Sequence, residues 1–113
     1  MAKLPDSVLT NIFTLQRQII ESIDATTAME FRILEQEGET NRTLSELGEL
    51  QSIKERLLSP YFRLHTLVLK AAESQPIASN DVLNLLSKSI ASTESALDAS
   101  IASLQEIQRN WSD

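Results

Sequence analysis

The side chains able to do chemistry are few, and their spacing works against most chemistries. The single histidine, His65, would need converging partners to act as a base or a ligand. The Glu-x-x-His pair of di-iron bundles places a carboxylate three residues earlier, where this chain has Phe62. Tyr61, one turn before His65, is no carboxylate either, so a structural or surface histidine is expected. Glu35, Glu37 and Glu39 form an acidic cluster, but they flank Gly38 and read as a solvated turn. No calcium-loop spacing accompanies them. None of the 14 serines stands in a Gly-x-Ser-x-Gly elbow, and two isolated glycines cannot build a phosphate-cradling loop. Without cysteine there is no thiolate nucleophile, disulfide framework or Cys-bound metal. A ferritin-like metal bundle would need inward carboxylates, and the candidates are Glu30 and Asp24. The residues therefore point away from an enzyme and from any cofactor or metal.

Composition points the same way. With 113 residues the chain is one domain, 1–113, and with 27 Leu plus Ile it can bury a core. Aromatics at 4%, two Gly and three Pro are too few for a sandwich or barrel. Sixteen acidic against ten basic residues give a net charge of −6, which disfavours nucleic acid because phosphate binding needs a basic face. No apolar stretch approaches the roughly 18 residues of a membrane span. Pro5 and Asp6 fall where a signal peptide would carry its apolar region, so a cytoplasmic location is the expectation.

The elements that must carry any function are helices. From Val8 to Leu34 apolar residues recur at steps of three and four, behind a start signal at Pro5 and Asp6 and ahead of a stop at Gly38. Helix one is expected over about 6–36. Thr43 and Glu46 fit a capping box for a second helix, with a start nearer Thr40 as the alternative. In that helix Leu47, Leu50, Lys54, Leu57, Tyr61, Leu64, Val68 and Ala71 keep one seam phase straight through Pro60, Lys54 being the charged exception. A helix over 43–74, kinked at Pro60, follows; a break with Ser59 as cap would give four helices instead. Ser79, Asn80 and Asp81 open a last helix over 79–112, whose seam runs from Leu83 through Leu86, Ile90, Thr93, Leu97, Ser100, Leu104 and Ile107 to Trp111. The predicted architecture is all-α, an up-down-up bundle of three long helices. Folding it at its turns brings Thr26 and Thr27 near Ser52 and Ser100, a small polar layer in which Thr and Ser back-bond to their own helices.

Two features are surplus to that bundle. Phe13, Ile20, Phe31, Phe62 and Leu69 lie beside the tight seams, and core filling is the expected use for most of them. The last helix is rich in Ser and Ala over residues 87–103, then ends on apolar residues up to Trp111, which either clasps the bundle or offers a handle to a partner. Leu97, Ile101, Leu104, Ile107 and Trp111 are the candidate partner-binding residues.

Residues 30–58 run Glu30, Phe31, Arg32, Ile33, Leu34, Glu35, Gln36, a short Gly-containing turn, then Leu44, Glu46, Leu47, Glu49, Leu50, Lys54, Leu57 and Leu58. This resembles the helical hairpin of the FlgN/FliT-type flagellar export chaperones. The resemblance implies a bacterial cytoplasmic chaperone that holds flagellar subunits soluble for type III export, with Leu97 through Trp111 contacting the client. The expected function is a non-enzymatic helical interaction module, most concretely a secretion or assembly chaperone that takes a partner helix into an apolar groove. The alternative is a structural homo-oligomeric bundle with no client.

Overall fold

A computed structural model describes residues 4–111 as three helices with no strand among them: α1 (Asp6–Glu37), α2 (Asn41–Glu73) and α3 (Asn80–Trp111). They form the expected up-down-up bundle, a rod of 57 × 20 × 18 Å. Near-equal helix lengths let each helix span the whole rod, so every level of the bundle has three contributors.

The ends follow local chemistry. The Pro5 carbonyl accepts the first helical bonds of α1, from the Val8 and Leu9 amides at 2.9 and 3.2 Å. Gly38 closes α1 at φ +67°, a conformation that strains any residue with a Cβ, and its N–H donates to the Leu34 carbonyl at 2.9 Å. The cap of α2 is Thr40, not Thr43. The Thr43 amide donates to Thr40 Oγ1 at 3.1 Å, and the Thr40 amide donates back to Thr43 Oγ1 at 2.7 Å. Thr43, fully buried, also donates its hydroxyl to the Gly38 carbonyl at 2.7 Å, which ties cap and preceding turn together. That extra acceptor favours the earlier start over a box with Glu46. Thr40→Ala should therefore cost about 1 kcal/mol, read as a fall in the thermal unfolding midpoint with helicity unchanged.

Helix α2 runs through Pro60 without a break, so the three-helix description holds. Pro60 is buried, on the ladder of Ile53 and Leu67. Here the seam differs from expectation by one step. Leu50, Leu57, Leu64 and Ala71 are fully buried as expected, but their companions are Ile53, Pro60 and Leu67. Lys54, Tyr61 and Val68 sit one residue on, half-buried. A helix in a three-membered bundle touches two neighbours, so its buried stripe is wider than a two-helix seam.

The core of α1 is Ile12, Leu15, Ile19, Thr26, Met29 and Ile33. That of α3 is Leu86, Ser89, Thr93, Leu97, Ser100, Leu104, Ile107 and Trp111. Of the residues expected to form a small polar layer, Thr26 and Ser100 are buried, whereas Thr27 and Ser52 are exposed; Thr93, two turns before Ser100, is buried as well. Thr26 Oγ1 donates to the Ser22 carbonyl at 2.7 Å and Thr93 Oγ1 to the Ser89 carbonyl at 2.6 Å, so both threonine hydroxyls are satisfied within their own helices, whereas the buried Ser100 Oγ has no partner and does not back-bond as expected.

Candidate binding surface

Neither the histidine nor the acidic turn builds a site. His65 is exposed, as are Glu35, Glu37 and Glu39, and Glu37 pairs with Arg42 at 3.5 Å. Among the described residues no group of three or more His, Asp or Glu side chains could hold a metal ion. No described helix is long and apolar enough to cross a membrane.

The five candidate partner residues of α3 do not form a surface. Leu97, Leu104, Ile107 and Trp111 are each no more than 6% exposed, and only Ile101 reaches solvent. The reason is length: α3 extends as far as the α1–α2 turn, so its last turn is covered rather than frayed. Trp111 is the clasp. The Arg42 guanidinium lies 4.8 Å over its ring, and Arg32 Nη2 donates to its main-chain carbonyl at 2.9 Å. Arg32 thereby satisfies a carbonyl at the negative end of the α3 dipole.

The apolar surface lies elsewhere, and heptad geometry locates it. On α1, Ile12, Ile19, Thr26 and Ile33 form one inward ladder, spaced by sevens. At roughly 100° per residue, Glu30, four residues after Thr26, lies about 40° round the helix from that ladder. Glu30 accepts from Lys54 Nζ at 2.6 Å, which marks this flank as the one turned toward α2. Further round the same flank, one residue after each ladder member, stand Phe13, Ile20 and Leu34. On α2 the flank marked by Lys54 carries Leu44 and Leu58 in the corresponding place, one residue after Thr43 and Leu57. Phe31 of α1, with Phe62 and Leu69 of α2, sits about 40° beyond them. All eight are between 41 and 65% exposed.

These residues share the outer face of the α1/α2 pair, opposite α3. The half-buried Ile23, Tyr61 and Val68 form its floor, packed on the core beneath. Tyr61 meets Phe62 edge-on at 5.5 Å. The two grooves beside α3 differ in kind. Asn11, Gln18, Glu21, Glu94 and Asp98 line the one toward α1. Glu46, Glu49 and Glu106 line the one toward α2. Acidity is thus concentrated around α3, while the α1/α2 face carries the Glu30–Lys54 pair with Arg17, Asp24 and Glu55 at its edges.

The core assignment expected for Phe13, Ile20, Phe31, Phe62 and Leu69 is corrected by their exposure. Leu34, Leu44 and Leu58 belong with them, though periodicity alone gave no sign of it for these three. The signal available in the sequence was the constant one-residue offset from the inward ladders. No protein-family model matches the chain, and no curated protein or solved structure matches it either.

Proposed function

We propose that this protein is a non-enzymatic helical interaction module whose working surface is the outer face of α1 and α2. The observation that carries the reading is that eight of the eleven large exposed apolar side chains among the described residues share one face of the bundle, with Ile77, Leu85 and Ile101 outside it. Isolated surface leucines need no explanation, but a continuous patch of this size marks an interaction site. Helices present such a face to other helices, with side chains at steps of three and four filling the spaces between them.

A secretion or assembly chaperone is the most concrete form of the reading. Within residues 30–58, where the chain resembles the FlgN/FliT-type hairpin, Phe31, Leu34, Leu44 and Leu58 all lie on this face. A partner would therefore dock on α1 and α2, and the end of α3 would hold the bundle closed.

The test is retention on immobilised protein from the native host, with the wild type beside an Ile20→Glu, Leu58→Glu variant. Both sites are exposed, so the variant should keep its helicity. It should lose at least tenfold of whatever the wild type retains specifically, a second copy of the chain included. Equal retention by the two proteins would remove the face from the function.

A further inference from the structure

We infer that the occupant of the α1/α2 face is a second copy of this chain, joined about a twofold axis parallel to the helices so that α1 of each copy lies on α2 of the other. The inference rests on the reading of that face as the working surface and names its partner.

Width is the first argument. A lone helix lying in the α1/α2 groove would cover Ile20 and Leu58 but would leave Phe31, Phe62 and Leu69 at the outer edges in water. Covering all of them takes a surface two helices wide, which this chain itself presents. Area is the second. The eight side chains expose together about 700 Å², taking roughly 200 Å² for a fully exposed Phe, close to the about 800 Å² per partner of a standard interface. The whole chain exposes 7070 Å² against roughly 6,200 Å² for a compact monomer of its mass. Charge is the third. A chain of net charge −6 meets its own copy at least cost through the face that carries the fewest acids.

Register gives the fourth argument. Helix α1 ends at residue 37 and α2 begins at 41, so residue i of α1 lies level with residue 78 − i of α2. The proposed axis preserves levels and sets α1 against the other copy's α2. It then brings Leu34 against Leu44, Thr27 against Gln51, and Ile20 against Leu58, like against like. Phe31 comes one residue from the level of Gly48, a mid-helix glycine with nothing within 4 Å of where its Cβ would be. Nothing within one chain accounts for a glycine there, and an opposing Phe ring would fill the space. Arg17 falls level with Tyr61, one residue from Phe62. Asp24, one residue from the level of Glu55, makes the one like-charged pair, at the rim where salt screens it.

Light scattering and sedimentation from micromolar to submillimolar concentration should give 25.2 kDa, twice the 12.6 kDa of one chain. Ile20→Glu with Leu58→Glu should give one-chain mass with helicity retained. Because the protein has no cysteine, Ile20→Cys and Leu58→Cys chains mixed under oxidation should cross-link to each other, and neither should cross-link to itself. A wild type of 12.6 kDa throughout overturns the inference, as does a dimer indifferent to both Glu substitutions. Self-linking by Ile20→Cys overturns the register. A monomer that still retains a different protein through this face would refute the second copy while leaving the module reading intact; a monomer that retains nothing ends both.

Discussion

A chain carrying Leu104→Ser together with Trp111→Ser should not fold at 37 °C. Leu104 and Trp111 are 6 and 5% exposed and lie two turns apart on the buried side of α3. Truncating a buried Leu costs about 2–5 kcal/mol and a buried Trp about 3–5, and residues some 10 Å apart add with little coupling. The sum is comparable with the whole stability of a small domain, about 5–15 kcal/mol. The Trp111 change also takes the ring from beneath Arg42, and it adds a hydroxyl where few partners exist. Circular dichroism should show lost helicity or a midpoint lowered by tens of degrees. Trp111→Phe is the informative control. It keeps an aromatic face for Arg42 and removes an indole N–H that is buried without a hydrogen-bond partner, so it should cost no more than about 1–2 kcal/mol. Retained helicity with an unshifted midpoint in the double variant would contradict the placement of α3's last turns in the core.

The second large effect is expected at Glu30 and Lys54. Their side chains are 18 and 21% exposed and meet at 2.6 Å beneath the apolar face. Lys54→Leu leaves a largely buried carboxylate without its cation, and Glu30→Leu leaves the ammonium without its anion. Each should cost about 1–3 kcal/mol, below the 3–5 of a wholly buried pair because water still reaches both groups. The double replacement should recover most of that loss or exceed wild-type stability, since two leucines avoid the desolvation of both charges. Chemical denaturation of the four proteins measures the coupling directly. A double variant as unstable as its two single losses combined would mean that the pair is not coupled.

How much of this was legible beforehand follows from what periodicity encodes. Steps of three and four fixed three helices, with the stop at Gly38 and the start at Ser79, because phase and punctuation are local properties. The choice between Thr40 and Thr43 as cap was not local. It turned on the Gly38 carbonyl accepting from Thr43, a bond that exists only once the turn has closed. Which apolar side chains are exposed differed from expectation for a related reason. A residue's phase says which way it faces on its own helix, but not whether a neighbour stands there. Phe13 and Ile20 look inward enough to be core, yet the third helix covers the other flank. Leu104 and Trp111 stood among the candidate partner residues because a chain end usually frays, with a clasp as the other expected role of Trp111. In fact α3 spans the full rod and tucks its end beneath Arg32 and Arg42.

An odd number of passes sends the two extremities of the bundle to opposite poles. Leu4 is buried at one and Trp111 at the other, along a rod 57 Å long. Anything fused before the first helix and after the last would be held apart as by a strut. Tension between such attachments would slide the first and third helices past each other, loading many side-chain contacts at once instead of peeling them singly.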